Sequence, residues 1–209
     1  MRLRRKSEQS AETDADLDGE VSVEAVPGPY DADELPAGDT GRVDLGALLI
    51  GPEPGRELRL HVDDATGAVQ AVMLLGEDGA LQLRAFAAPR NGDLWSEARP
   101  KIAAEVAEHG GTATEREGRW GPELVCKVQV KTPEGRVGTQ ETREIGVNGP
   151  RWLLRATLLG KPAADIEGST DWEDVISRVA VQRGAGAMPV GEALTVTMPP
   201  EARAAGQPE

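Results

Sequence analysis

Residues 57–88, ELRLHVDDATGAVQAVMLLGEDGALQLRAFAA, decide the fold. Three runs in this stretch are apolar and strand-like: ELRLHV (57–62), AVQAVMLL (68–75) and ALQLRAFAA (80–88). In the first and third, polar side chains such as Arg59 and Arg84 alternate with aliphatic ones. The separators, DDATG and GEDG, contain the Asp and Gly residues that are typical of hairpin connections. Because successive side chains of a strand point to opposite faces, the pattern predicts three antiparallel strands in a meander.

The next segment, DLWSEARPKIAAEVAEHGG, predicts a helix. Asp93 is placed as its N-cap residue, and Gly110 supplies the C-terminal stop. Pro100 removes one backbone donor inside the pattern, so we expect either a kink or a main helix that begins at Pro100 after a short turn. An apolar stripe at i, i+4 spacing consists of Leu94, Ala98, Ile102 and Val106.

A second set of strands follows this helix: TATERE, ELVCKVQV, GTQETREIGV and RWLLRATLLG, with VNGP as the hairpin between the last two. A short helix in STDWEDVIS, a strand in RVAVQR and an extended piece, ALTVTM, complete the order. Strands and helices are segregated rather than alternating. The sequence therefore predicts an α+β fold in which a mainly antiparallel sheet of two strand meanders is packed by one main helix and one short helix.

The two ends of the chain differ from the centre. Residues 1–40 are acidic and lack helical or strand periodicity, so we expect a disordered tail, and we expect the same of residues 199–209. Residues 41–198 then form a single domain. The segment GPYDADEL (28–35) is a candidate exception, because Tyr30 and Leu35 could dock onto the folded body.

Composition excludes several classes of protein. A net charge of -13 argues against binding to nucleic acid, because phosphate neutralisation needs positive charge. The single cysteine, Cys126, rules out an intrachain disulfide, which favours a cytoplasmic protein. Acidic residues follow the basic start MRLRRK where a signal peptide needs an apolar region. No segment approaches the roughly 20 apolar residues of a membrane span, so we expect no membrane partner.

The sequence motifs for metal binding, nucleophilic catalysis and phosphate binding are absent or incomplete. DADLDGE matches the first half of a calcium-binding loop, but Ala25 stands where the loop needs a bidentate glutamate. His61, His109 and Cys126 are too sparse to predict a transition-metal site. The nucleophile motif G-x-S-x-G is absent from the sequence, and GKP lacks the Ser or Thr of a phosphate-binding loop. We therefore predict no catalytic residue, metal or cofactor.

Three arginines are the sharpest remaining feature. Arg151 and Arg155 share one face of the strand RWLLRATLLG, and Arg84 lies on the non-aliphatic face of its own strand. If the three converge, their guanidinium groups would suit a carboxylate or a phosphate. The alternative, which we favour, is an ordinary solvated sheet face on which arginines pair with carboxylates of neighbouring strands. The candidate partners are Glu57, Glu141 and Glu144.

Several separated segments carry a resemblance to a known family: GPYD, RVDLGALL, LQLRAFAAPR, LWSEARPKIA and GVNGPRWLLRATLLG. Together they resemble the actinobacterial domain-of-unknown-function family numbered 3710, from about Gly28 to about Val196. No activity is established for that family, so the resemblance assigns no catalytic residue to this chain. The arrangement is also similar to the Mog1/PsbP-type α/β/α sandwich, whose members mostly bind other proteins, although a fold does not by itself define a function.

These observations lead to two main hypotheses and a weaker third. The first is a non-enzymatic cytoplasmic module that binds an unknown protein partner; Trp120, in the turn EGRWGPEL, is either a core residue or an exposed contact for that partner. The rival is a small anionic-ligand-binding protein or enzyme built around Arg84, Arg151 and Arg155. The third uses RLRRK as a membrane-surface tether, offset by the acidic run that follows.

Overall fold

The computed structural model describes residues 28–35, 41–131 and 137–198. Of the tail predicted to be disordered, residues 1–40, only 28–35 are described; the rest of it, the predicted disorder of residues 199–209 and the partial calcium motif lie outside these ranges. In chain order the strands are β1 (Tyr30–Asp31), β2 (Val43–Asp44), β3 (Leu48–Ile50), β4 (Glu57–Val62), β5 (Val69–Leu75), β6 (Gly79–Ala87), β7 (Thr112–Gly118), β8 (Gly121–Lys131), β9 (Val137–Asn148), β10 (Trp152–Gly160) and β11 (Ala180–Val181). The helices are α1 (Leu94–Glu108), α2 (Lys161–Ala164) and α3 (Thr170–Ser177), with short 3-10 turns at Ala32–Glu34 and Glu167–Ser169.

The larger sheet has the strand order β4-β5-β6-β10-β9-β8-β7. Every neighbouring pair is antiparallel. The two predicted meanders are its two halves, and they are joined where β10 pairs with β6 from Trp152 opposite Ala87 to Gly160 opposite Gly79. The predicted α+β class and mainly antiparallel sheet are confirmed.

A smaller sheet, of order β1-β11-β3-β2, packs against one face of the larger one. Its β1 pairs in parallel with β11, so that Tyr30 lies opposite Ala180, and the backbone N–H of Tyr30 donates to the carbonyl of Val179 at 2.9 Å. The segment Gly28–Leu35 therefore does contact the folded body. The ALTVTM piece is extended and forms isolated bridges, one of them between Ala193 and Phe86.

The main core lies between the two sheets and α3, and it includes Trp152, Leu154, Trp172 and Ile176. A second apolar cluster lies on the opposite face of the larger sheet, beneath α1. Leu153 belongs to it and is only 2% exposed. The face that alternation assigned to the exterior is thus partly buried, because α1 covers one half of it. The buried members of this cluster are Trp95, Ile102, Leu124, Cys126 and Leu153.

Helix α1 is continuous through Pro100, and the alternative in which it begins at Pro100 is wrong. The first turn is anchored before the proline is reached. The carboxylate of Asp93 accepts a hydrogen bond from the backbone N–H of Ser96 at 3.0 Å, as an N-cap should. Trp95 is buried. Gly110, with φ +73°, ends the helix as expected.

Candidate binding groove

Helix α1 is fixed over the β7–β9 side of the sheet by a close helix–strand approach. The Trp95 ring lies directly against Gly146 of β9, where an added Cβ would be 2.1 Å from ring atom Cδ2. The indole Nε1–H of Trp95 donates to the carbonyl of Pro122 at 2.6 Å. These contacts hold the helix to one side, so it lies beside β6 and β10 rather than over them, and a groove runs along that edge of the helix.

The groove has a volume of about 230 Å³. Its floor is apolar and is made by α1 together with β6 and β10. Charged side chains stand among these apolar ones: Lys101 and Glu105 from α1, and Arg155 from β10. The arrangement can bury one or two apolar side chains of a ligand and offer them charged neighbours. The apolar lining residues are Phe86, Leu94, Ala98, Ile102 and Leu153.

Arg84 and Arg155 are directly opposite each other on β6 and β10. Arg155 is paired, since its Nε donates to Oε2 of Glu144 at 2.8 Å. That carboxylate, which is 7% exposed, also accepts a hydrogen bond from the Thr157 hydroxyl at 2.7 Å. Glu144 is therefore already committed to two donors on β10.

Arg84 has no carboxylate partner within the described residues. Its guanidinium lies 5.2 Å from the centre of the Phe86 ring, which lines the groove, and its buried Nε makes no hydrogen bond in the described part of the chain. Burial lowers the pKa of Arg84, and the neighbouring charge of Arg155 lowers it further, while Glu144 has the opposite effect. Of the two neighbouring cations at the edge of the groove, Arg155 is paired with a carboxylate and Arg84 is not, among the residues described.

The structure does not bring the four sequence-predicted site residues together. Arg84 and Arg155 are neighbours, but Arg151 lies before β10, where its Nη2 donates to the carbonyl of Gly184 at 3.2 Å. It borders a separate hollow with Asp31, Asp33 and Glu34.

Trp120 is also apart from the groove. It is half-buried against the main core, and its indole N–H donates to the carbonyl of Gly28 at 3.0 Å. Trp120 thus helps to hold the segment Gly28–Leu35 against the rest of the fold.

The expected arginine–carboxylate pairs are only partly those of neighbouring strands. Arg155 does pair with Glu144 across β10 and β9. Glu57 instead pairs with Arg59 of its own strand at 2.9 Å. Glu141 accepts from Lys127 of β8 at 2.6 Å. Arg84 stands apart from this pattern, since no such pair is found for it among the residues described.

Sequence reasoning missed a buried ionic cluster on the opposite face of the sheet. Arg143 of β9 contacts both carboxylate oxygens of Glu123, and it also contacts Glu173 and the hydroxyl of Ser169. Arg116 adds a second cation to Glu123 at 3.0 Å. The alternation of side chains along β9 indicates a buried charge, because it places Arg143 on the same strand face as the buried Ile145.

The described ranges contain no metal-binding cluster and no exposed thiol. Among those residues, no group of three or more His, Cys, Asp or Glu side chains is arranged to hold a metal ion. Cys126 is buried, and loss of solvation raises the pKa of its thiol to about 11. The same ranges contain no helix long and apolar enough to cross a membrane.

The fold and the groove define an α+β protein with an open, mainly apolar recess flanked by arginines. Residues 28–205 match the sequence model of a family described as "Protein of unknown function (DUF3710)". The match covers most of the chain, which therefore belongs to this family, as the resemblance of its separated segments predicted. No curated protein matches the sequence.

Proposed function

We propose that the protein is a non-enzymatic binding module of the cytoplasm, and that the groove beside α1 receives a segment of a partner protein. The observation that carries the proposal is the apolar floor formed by Phe86, Ile102 and Leu153 with Arg155 at its edge. Apolar and aromatic residues together with arginine are enriched at the centres of protein interfaces. The cytoplasmic assignment rests on the single cysteine.

The size of the groove favours a protein partner over a small molecule. Sites that enclose drug-sized ligands are typically about 300–1,000 Å³ and bury most of the ligand. The groove beside α1 is smaller, about 230 Å³, and is partly open to solvent. It therefore suits one or two anchoring side chains of a longer chain that continues over the surface.

The rival function, an anion site or enzyme built on three arginines, is supported less well. It needs the guanidinium groups of Arg84, Arg151 and Arg155 to converge. Arg151 instead borders a different hollow, next to Asp31. The two remaining arginines are beside the groove, where they fit the role of charged contacts for a bound segment.

Site-specific photocrosslinking in the native cell tests the proposal. A photoreactive amino acid at Lys101 faces the groove, and one at Ala107, which is exposed on another side of α1, is the matched control. We expect a discrete protein adduct from position 101, absent from position 107 and lost when Ala98→Leu fills the groove. Equal adducts from both positions, or an adduct that Ala98→Leu does not change, would overturn the proposal. Thermal melting establishes that the Ala98→Leu chain is folded.

A further inference from the structure

We infer that the segment bound in the groove is acidic and aliphatic, with a carboxylate that pairs with Arg84 next to an apolar side chain seated on Phe86 and Leu153. This inference rests on the proposed function. It is carried by the charge balance of the groove rather than by its shape alone.

The local charges leave one cation uncompensated. Arg84, Arg155 and Lys101 contribute three positive charges, and Glu144 and Glu105 contribute two negative ones. Glu144 is bound by Arg155 and Thr157, and among the described residues it is the one carboxylate whose charge raises the pKa of Arg84. Within the described residues, Arg84 therefore has a donor without an acceptor.

A carboxylate is the group that best completes this arrangement. It would bring an acceptor to a guanidinium whose charge is already partly desolvated, and charge-assisted hydrogen bonds of this kind are stronger than neutral ones. It would also reduce the repulsion between two like charges on directly opposed strand positions. Because Arg84 lies over the ring of Phe86, the same residue links the charged contact to the apolar floor.

Selection from a random peptide library against the full chain tests the inference. We expect enriched peptides in which Asp or Glu is adjacent to Leu, Ile or Val, and we expect the Ala98→Leu chain to lose them. With an enriched peptide as the probe, replacing its carboxylate by the amide should weaken binding about tenfold or more, measured by fluorescence anisotropy.

Variants of Arg84 assign that effect to one contact. Arg84→Gln should weaken binding of the acidic peptide by the same factor as the change from carboxylate to amide does. It should not weaken binding of the amide peptide, because that peptide no longer makes the contact with Arg84. Arg84→Lys should restore part of the affinity. Arg59→Gln, on the same sheet face but paired with Glu57, should change nothing.

The outcomes separate the two proposals. Two outcomes overturn the inference and leave the proposed function standing. In the first, the enriched peptides lose binding to the Ala98→Leu chain but show no preference for a carboxylate. In the second, they prefer a carboxylate, and Arg84→Gln does not change that preference. Absence of any peptide whose binding Ala98→Leu reduces overturns both.

Discussion

Arg143 and Glu123 form a two-point ion pair inside the protein: Nε lies 2.7 Å from Oε1 and Nη2 lies 3.0 Å from Oε2. Both side chains are 1% exposed. Burial is the largest single influence on the pKa of Arg143 and lowers it, but the hydrogen bonds and charges of Glu123 and Glu173 together outweigh burial, so the pKa is raised. Arg143 therefore stays positively charged, and the pair depends on its internal partners because both side chains are almost fully excluded from solvent.

Removing one member of this pair should be strongly destabilising. Arg143→Met leaves Glu123 and Glu173 near a buried site without their principal cation, and breaking a buried pair typically costs about 3–5 kcal/mol. Chemical denaturation should show that loss in the free energy of unfolding, whereas Arg59→Met, at an exposed pair, should leave it almost unchanged. A double variant, Arg143→Met with Glu123→Leu, should recover part of the loss. A cost for Arg143→Met no larger than that for Arg59→Met would show that solvent reaches the cluster.

The approach of α1 to β9 predicts a contrast between two glycines of the same strand. Gly146→Ala should destabilise the fold by about 1–3 kcal/mol, because its Cβ would overlap the Trp95 ring and push the helix outward. Gly138→Ala meets nothing within 4 Å and should be close to neutral. Thermal melting of both variants makes the comparison. Equal melting temperatures for the two variants would contradict this account of how α1 is held.

Much of the fold was predictable because it depends on local pattern. Alternation and hairpin residues located the strands of both meanders, and the stripe from Leu94 to Val106 located α1. The pairing of β6 with β10 was not visible locally, since it joins Arg84 to Arg155 across many residues. The side on which α1 lies depends on the Trp95–Gly146 contact, which is tertiary. The Mog1/PsbP likeness and the actinobacterial origin stay predictions.

The candidate site was predictable only in part, for the same reason. Arg84 and Arg155 were identified from strand faces, but their separation from Arg151 required the register and the path of the chain before β10. Lys101 and Glu105 were missed because a helix stripe reveals the buried residues and not which polar neighbours border a recess. Arg143 could have been noticed as a charge on an aliphatic face.

The cap of α1 predicts a pH-dependent contribution to stability. Hydrogen bonds from the Ser96 hydroxyl and backbone, and from Asn148, lower the pKa of Asp93 below its usual 3.8. A lowered pKa means that the stabilisation is complete above pH 3.8 and is lost as the pH falls through the lower folded-state value. Asp93→Ala should therefore cost about 1 kcal/mol at pH 7. The difference in melting temperature between the two chains should shrink as the pH falls below 3.8. A difference that is constant across this range would mean that the cap does not act through the ionised carboxylate.

The thiol of Cys126 should be inert in the folded protein. Its side chain is buried, and desolvation, followed by the charge of Glu144, raises its pKa to about 11. At pH 8 only about one thiol in a thousand would be ionised, and the thiolate is the reactive form. Reaction with a chromogenic disulfide reagent should be slow in the native chain and immediate in denaturant. Rapid modification without denaturant would require the cluster beneath α1 to open readily.

Arg84 should be unfavourable to the stability of the free protein. It faces Arg155 directly across two strands, and like charges in that position are destabilising. Its buried Nε also lacks an acceptor within the described residues, a cost of about 1–3 kcal/mol for such a group. Arg84→Met keeps the contact with Phe86 and removes both penalties, so it should raise the free energy of unfolding. Denaturation curves at low salt measure the gain. Added salt should reduce the difference by screening the repulsion, whereas a less stable Arg84→Met chain would mean that Arg84 already has a compensating partner and does not await one from a ligand.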